Sequence, residues 1–228
     1  MKKNNSRQET SSDEGRPSSL EKRDTSRLEA FSDGVFAVAI TLLVLEIKVP
    51  PLNHATASGA DLIRALLAQW ASLLAYVISF ISILIMWINH HEIFGLIREV
   101  SRSVLFANGM LLLLITFVPF PTAVLAAYMG HEAVARAAAA FYCATFVLVN
   151  GAYNGLWYSA SRNRRLLKPD VTDAQIRRIW RSYLGAFPVY VAAMVLALLN
   201  PFVGLALFVL PWIVWARLRY TSKEEGFV

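Results

Sequence analysis

Six apolar runs follow one another along the chain, and most are long enough to cross a ~30 Å hydrocarbon core as a helix. They occupy residues 31–49, 62–88, 104–129, 133–158, 183–199 and 202–215. Of the 228 residues, 56% are hydrophobic and only 17% are charged, whereas about a quarter of the residues in soluble domains are charged. We therefore expect an all-α integral membrane protein with six transmembrane helices.

Polar segments bound the apolar runs at both ends. Residues 1–26 are rich in Ser, Glu, Lys and Arg and lack the apolar core of a signal peptide, so we expect a disordered cytoplasmic tail there. Residues 27–220 form the predicted transmembrane domain, and residues 221–228 a second cytoplasmic tail. Within the third run, Pro119 and Pro121 predict a kink. The spacing of Gly151 and Gly155 in the fourth run permits close helix packing.

Lys and Arg concentrate in alternate loops. Basic residues in short loops are retained on the cytoplasmic side, so this pattern places both termini in the cytoplasm. The net charge of +6 is explained by this topology, and we expect no nucleic-acid partner. The protein is therefore predicted to be a multi-pass protein of a plasma membrane of the bacterial inner-membrane type, surrounded by lipid. The predicted cytoplasmic basic residues are Lys22, Arg23, Arg27, Arg98, Arg102, Arg162, Arg164, Arg165, Lys168, Arg177, Arg178, Arg181, Arg217 and Arg219.

The first run has two distinct faces when it is drawn as a helix. At 100° per residue, a mostly apolar stripe falls within about 60° of one direction, with Thr41 at its edge. Leu43 points about 140° away from the centre of the stripe, and Ser32 and Asp33 also project to the other side. The stripe consists of Phe31, Gly34, Val35, Val38, Leu42, Leu45 and Val49. The helix thus offers an apolar seam on one side and a polar anchor on the other.

Asp33 lies at the predicted cytoplasmic edge of the first run, where a carboxylate is costly unless it is paired or hydrated. The simplest interpretation is a hydrated or helix-capping carboxylate, which is favourable near a helix N-terminus. A partner on a neighbouring helix is the alternative. Residues expected at a similar depth are Arg27, Asn89, His90, His91, Arg102 and Asn108.

The adjacent pair His90 and His91 does not form a metal site by itself. Neighbouring residues on a helix point about 100° apart, and no Cys or carboxylate completes a usual ligand spacing. A hydrogen-bonding role is therefore favoured. The sequence also lacks a nucleophile elbow, a Walker A loop, a dinucleotide fingerprint and an HExxH motif, so we expect neither an enzyme nor a bound cofactor.

Arg27, Phe31, Ser32 and Asp33, with Thr41-Leu42 in the same run, resemble the signature of the transmembrane protein 175 family. The Pro-Phe-Pro-Thr segment at 119–122 is also similar, and the resemblance covers residues 27–220. It implies a potassium-permeable channel without the carbonyl-lined filter of ordinary potassium channels. No Thr-Val-Gly-Tyr-Gly sequence occurs in this chain.

The resemblance also implies roles for individual residues. Val38, Leu42 and Leu45 would form the pore constriction, with Thr41 as a polar layer and K⁺ as the permeant ion. Val38 stands where the family more often has Ile or Leu, which implies a wider inner layer. The chain carries one six-span repeat, so closed symmetry predicts a homotetramer with four copies of the first helix around the axis. The implied structural motif and polar network comprises Arg27, Phe31, Ser32, Asp33, Asn89 and His90.

Three other classes of function are compatible with the sequence to different degrees. Asp33, His90 or Glu46, together with the smaller Val38 layer, are compatible with a proton-permeable or weakly selective cation channel. A secondary transporter is less favoured, because only the prolines of the third and fifth runs suggest the broken helices of such proteins. A membrane enzyme has the least support, because the polar residues cluster at the ends of the runs. Reversal potentials and tests for coupled flux distinguish these possibilities.

Overall fold

The computed structural model describes residues 19–52 and 58–224, with side chains described over 25–52 and 58–212. These parts of the chain are helical apart from short connections, and short 3-10 segments, Leu43–Glu46 and Arg164–Leu166, follow α1 and α6. The α-helices are α1 (Ser19–Leu42), α2 (Gly59–Ala68), α3 (Trp70–Leu96), α4 (Arg102–Phe117), α5 (Pro119–Tyr128), α6 (Glu132–Ser161), α7 (Asp173–Ala197) and α8 (Pro201–Glu224).

Five segments of the described chain are long and apolar enough to cross a membrane. They are the segment Thr25–Glu46, α3, the α4–α5 segment Arg102–Tyr128, α6 and α7. The helix of the third segment is interrupted at Val118, where α4 ends and Pro119 begins α5. A proline lacks an amide hydrogen and its ring crowds the preceding turn, which explains a break at the predicted kink. The sixth apolar helix is shorter, over Pro201–Trp212.

The second apolar run differs from the prediction at both of its ends. Its first part is the separate helix α2, and α3 begins only at Trp70, after an interruption at Gln69. At the other end, α3 continues to Leu96, past the predicted end at residue 88. His90 is fully buried and hydrogen-bonded to α4, so this polar residue is held inside the bundle and does not mark a helix end.

The ends of the domain also differ from the prediction. Because α1 begins at Ser19, residues 19–26 are helical, although we expected a disordered tail there. Residues 221–224 of the second expected tail are likewise the end of α8. Residues 1–18 and 225–228, which make up the rest of both tails, lie outside the described residues.

The long helix α6 is the centre of the bundle and packs against α4, α5, α7 and α8. Its fully buried Tyr142 and Phe146 make ring contacts with Phe208 of α8. Two helices approach closely at Gly204 of α8, where a β-carbon would lie 2.5 Å from that of Ala197 in α7. In contrast, α1 packs only along one side, against α3 and α4, so much of its surface faces away from the bundle.

Candidate functional site

Helix α1 has one buried face and one exposed face. Ser32, Phe36, Ala39 and Leu43 are buried at spacings of four, three and four residues, which is one stripe of a helix. On the opposite side the side chains of the predicted seam are exposed, with relative exposures of 54% at Val38, 40% at Leu42 and 62% at Leu45. Of the other residues in the seam, Phe31, Gly34, Thr41 and Val49 are exposed and Val35 is half-buried. The bundle therefore leaves the predicted seam uncovered.

The change from α-helix to 3-10 helix after Leu42 keeps the seam aligned. Residues three apart eclipse one another in a 3-10 helix, so Leu45 lies above Leu42 along the helix axis. Thr41 belongs to the same exposed side, and its hydroxyl donates a 2.9 Å hydrogen bond to the carbonyl oxygen of Val38. Because the hydroxyl hydrogen points into the helix, the lone pairs of Thr41 Oγ1 remain on the exposed side.

Three buried polar side chains fasten the opposite face of α1 to α3 and α4. Asn108 Nδ2 donates a 3.0 Å hydrogen bond to Ser32 Oγ, and Ser32 Oγ donates at 2.8 Å to the carbonyl oxygen of Leu28. On the other side of the amide, Asn108 Oδ1 and His90 Nε2 are 2.9 Å apart. All three side chains are essentially inaccessible, so each bond forms in a medium where an unpaired polar group is costly.

The directions of these hydrogen bonds assign the tautomer of His90. Since the Asn108 amide nitrogen donates to Ser32, its oxygen is the acceptor that faces the imidazole, and His90 Nε2 carries the hydrogen. His90 Nδ1 is buried and has no hydrogen-bond partner among the described residues. The ring lies between Phe94, stacked at a centroid distance of 4.3 Å, and Phe36 at 5.3 Å. The geometry describes a neutral imidazole that is held by aromatic packing and one polar contact.

Asp33 is not hydrogen-bonded to this network: its partner lies on the neighbouring helix α3 but is none of the residues expected at a similar depth. Its Oδ1 accepts a 2.8 Å hydrogen bond from Trp87 Nε1 at an exposed position. Water reaches this carboxylate, so the interior polar groups on α3 and α4 are not needed to stabilise it. A second exposed contact, 2.9 Å between His91 Nδ1 and Glu29 Oε1, also joins α3 to α1.

The remaining residues of the predicted motif lie apart from the network. Arg27 and Phe31 are exposed on α1. Asn89 lies on another side of α3, where it lines a cavity of about 30 Å³ together with Ser82, Asn150 and other residues of α6 to α8. The predicted polar network is therefore brought together only at Ser32 and His90, and Asn89 belongs to a different part of the bundle.

Two residues that bind α1 were not part of the predicted motif. They are Asn108, which contacts Ser32, and Trp87, which contacts Asp33. A signal for Trp87 exists in the sequence, because Trp87, His90, His91 and Phe94 recur at spacings of three and four residues and so share one side of α3. Asn108 is the only residue with an amide side chain in the third apolar run, where such a group is costly unless it is bonded. Within the described residues, no group of three or more His, Cys, Asp or Glu side chains is arranged to hold a metal ion.

Comparison with known proteins identifies the family. The model of the endosomal/lysosomal potassium channel TMEM175 matches residues 27–119. A potassium channel of Chamaesiphon minutus is 44% identical over 180 residues, which is 79% of this chain and 87% of the relative. The chain belongs to the TMEM175 family. The resemblance found in the first helix is thereby confirmed, and this family of ion channels is not an enzyme class.

The structures of TMEM175 proteins agree with the fold. A crystal structure described as a lysosomal potassium-selective channel TMEM175 homolog from Chamaesiphon minutus superimposes with a TM-score of 0.75 at 41% identity. The match covers 86% of this chain and 98% of that structure, so the all-α, multi-pass membrane architecture is confirmed. The human endosomal/lysosomal proton channel TMEM175 is 35% identical over 114 residues, which is 48% of this chain but only 21% of the human protein.

Proposed function

We propose that this chain is one subunit of a potassium-selective channel whose pore is lined by α1. This proposal rests on one observation. Helix α1 leaves its apolar seam uncovered on one face, while its opposite face is hydrogen-bonded to the rest of the bundle. The bacterial relative named a potassium channel and the potassium-selective homolog of known structure support it. Lipid contact alone explains an apolar surface, but it does not require the buried polar anchor that fixes the rotation of α1.

A single α1 cannot enclose a pore, so the proposal includes assembly into a homotetramer. Closed symmetry then brings four copies of Val38, Leu42 and Leu45 towards one axis as three apolar rings. With rises of 1.5 Å per residue in the α-helix and 2.0 Å in the 3-10 segment, the rings extend over about 12 Å. Each subunit would cross the plasma membrane six times, with α8 as the short sixth span and both termini in the cytoplasm.

The chemistry of this constriction is dehydration. Apolar rings offer no oxygen ligands, so a passing ion loses hydration energy there, and K⁺ loses its water at a smaller cost than Na⁺. The lone pairs of Thr41 Oγ1 would face the axis between the Val38 and Leu42 rings and supply the polar layer. Val38 is smaller than Ile or Leu and gives a wider ring at the cytoplasmic side.

The anchor on the back of α1 has a positioning role in this account. Ser32 is held by Asn108, and Asp33 by Trp87, at the end of α1 that precedes the constriction. Rotation of α1 by one residue turns each leucine about 100° away from the axis, so the hydrogen bonds preserve the ring geometry. We assign Ser32, Asp33 and His90 to this positioning role and exposed Phe31 to contacts between subunits.

A proton-permeable or weakly selective cation channel is the second candidate. It is favoured by one specific observation, that the human member of the family is described as a proton channel. The pore lining would be the same, and only the permeant ion would differ. Current carried by H⁺ under a pH gradient, with no shift of reversal potential when K⁺ replaces Na⁺, would identify this alternative.

The test is recording from purified protein in a planar bilayer with K⁺ on one side and Na⁺ on the other. The proposal predicts a reversal potential displaced towards the K⁺ equilibrium potential and unaffected by a modest pH gradient. A reversal potential near zero under the same bi-ionic conditions would reject selectivity. Saturable flux that requires a second, coupled ion would reject a channel and support a transporter.

A further inference from the structure

A dense group of basic side chains occupies the connection between α6 and α7 and the first turns of α7. Residues 162–181 contain seven basic and two acidic side chains, Asp170 and Asp173, which gives a net charge of +5. We call the seven basic residues the basic belt, and all of them are exposed. The belt consists of Arg162, Arg164, Arg165, Lys168, Arg177, Arg178 and Arg181. At the opposite end of the bundle, the described charges balance, with Lys48, Arg64 and Arg136 against Glu46, Asp61 and Glu132.

The structure gives the belt a rigid frame. Helix α7 begins at Asp173, well before the apolar run that starts at residue 183, and Thr172 and Gln175 form a capping box at its start. The connection before it is fixed because Arg164 donates to the carbonyl oxygen of Val171 and lies 3.6 Å from Asp173. One of the two carboxylates of the segment, Asp173, is therefore partly engaged with the connection itself, and the outward charge stays positive.

Aromatic side chains next to the belt indicate its depth in the bilayer. Trp180 and Tyr158 are in edge-to-face contact at a centroid distance of 6.3 Å, beside Arg181 and one turn before Arg162. Trp and Tyr collect at the level of lipid headgroups. Because α7 spans Asp173–Ala197, its first turns extend beyond the apolar part of the helix, and the arginines on them lie at the same level as these rings. The belt is thus positioned to meet phosphate groups.

The belt is also connected to α1. The connection between α6 and α7 is paired with the connection between α3 and α4, through Arg98 N donating to Leu166 O at 2.7 Å and Lys168 N donating to Leu96 O at 3.0 Å. The hydroxyl of Thr25 on α1 in turn donates to Arg98 O at 3.3 Å. A continuous series of short contacts therefore links Lys168 of the belt to α1.

We propose that the basic belt binds the phosphate headgroups of anionic phospholipids, and that this binding is transmitted to α1 through the paired connections. The regulatory part rests on the proposed channel function, whereas the binding part does not. A cavity of about 370 Å³ between α1 and the paired connections is a second candidate site for such a group. Glu29 and Asp170 line that cavity and balance Arg98 and the belt residue Lys168, so the six arginines of the belt are the anion-binding surface.

The binding test uses full-length protein in detergent and fluorescent phosphatidylglycerol as the probe. Each basic side chain near a lipid surface contributes enough that the double variant R177Q/R181Q is expected to bind about 30-fold more weakly. The matched control is R64Q/R136Q, which removes two exposed arginines from the opposite end and should leave binding unchanged. Equal loss in both double variants, or no loss in R177Q/R181Q, would overturn the belt as the site. Displacement of the lipid probe by millimolar inorganic phosphate, with no sensitivity to acyl chains, would identify a soluble-anion site and overturn the lipid assignment.

The regulatory test measures K⁺ flux from vesicles of phosphatidylcholine with and without added phosphatidylglycerol. Wild-type flux should rise several-fold with the anionic lipid, and R177Q/R181Q should lose that rise. The Thr25→Val variant should bind the probe normally, but phosphatidylglycerol should raise its K⁺ flux less than that of the wild type. The reason is that the substitution breaks the contact between α1 and Arg98. Equal wild-type flux in both kinds of vesicle would overturn transmission to α1. No flux in either kind would refute the proposed function itself, and the binding result would then decide the belt separately.

Discussion

The side-chain amide of Asn108 links Ser32 to His90, with its nitrogen 3.0 Å from the serine hydroxyl and its oxygen 2.9 Å from the imidazole. This one residue of α4 therefore satisfies a buried group on α1 and another on α3. Its position explains how a helix with so exposed a front face keeps a fixed rotation. The hydrogen bonds of Asn108 with Ser32 and His90 are therefore expected to be the polar contacts that matter most for the stability of the subunit.

Asn108→Ala is expected to be strongly destabilising. It leaves Ser32 Oγ without its donor and His90 Nε2 without its acceptor, and each buried group left unpaired costs about 1–3 kcal/mol. The thermal stability of the purified protein should fall clearly. Thr116→Val is the control on the same helix, because its exposed hydroxyl bonds only to the carbonyl oxygen of Leu113. Similar melting temperatures for both variants would contradict the anchoring role of Asn108.

Asp33→Ala and Trp87→Phe are expected to be milder. Both remove the same exposed hydrogen bond, and water can replace each lost partner, so the expected cost is about 1 kcal/mol or less. Combining the two substitutions should cost no more than the larger of the single effects, because they share one interaction. Additive losses in the double variant, or a loss at Asp33 equal to that of Asn108→Ala, would show that Asp33 has a partner other than Trp87.

Gly204→Ala is expected to disrupt the packing of α7 against α8. The new methyl group would lie 2.5 Å from Ala197 Cβ and 2.8 Å from the carbonyl oxygen of Ala193, and overpacking of this kind costs about 1–3 kcal/mol. Gly185→Ala is the matched control, because nothing lies within 4 Å of its added methyl group. That control should be neutral or slightly stabilising, since alanine favours a helix over glycine by about 1 kcal/mol. Equal effects of the two substitutions on thermal stability would refute the close approach.

The oligomeric state provides a separate prediction. In detergent, the purified protein should have a protein mass of four chains of 25.4 kDa each by light scattering corrected for bound detergent. The proposed tetramer places the seams of four α1 helices around one axis. A monomer or dimer that still conducts K⁺ would exclude a pore built in this way.

The sequence was sufficient to predict the front face of α1 but not its back face. Helical periodicity placed Val38, Leu42 and Leu45 on one side, where they are exposed, and Leu43 on the other, where it is fully buried. The partner of Asp33 was not predictable in the same way. A charge at the edge of a span suggests a partner inside the bundle, but water can also satisfy it. Ser32, which is uncharged and fully buried, was the residue that needed a partner, and only the packing of α4 against α1 shows that Asn108 supplies it.

The ends of helices were harder to predict than their existence. The second apolar run was expected to end before Asn89-His90-His91, but α3 continues through these residues, and His90 is buried against α1 and α4. Likewise, Gly151 and Gly155 have the spacing of a close helix contact, but no neighbouring atom within the subunit lies within 4 Å of either added methyl group, and the close contact is at Gly204. The spacing of small residues along a helix indicates where a close contact is possible. The arrangement of the other helices determines where the contact occurs.

In the proposed channel, the exposed seam of α1 forms the selective constriction. Leu42→Asn and Leu45→Asn each place a polar amide in an apolar ring, which lowers the cost of hydrating an ion there. Val44→Asn is the control on the same turn, since Val44 is also exposed but points about 120° away from Leu45 in the 3-10 segment. Leu43 is unsuitable as a control because it is fully buried.

The most direct measurement is the K⁺ over Na⁺ permeability ratio from bi-ionic reversal potentials in planar bilayers, made on the wild type and these three variants. If the seam forms the constriction, the permeability ratio should be high in the wild type and in Val44→Asn. In Leu42→Asn and Leu45→Asn the current should be larger and the ratio should fall towards one. An altered ratio in Val44→Asn, with wild-type current and selectivity in Leu42→Asn and Leu45→Asn, would contradict the assignment of this face to the pore.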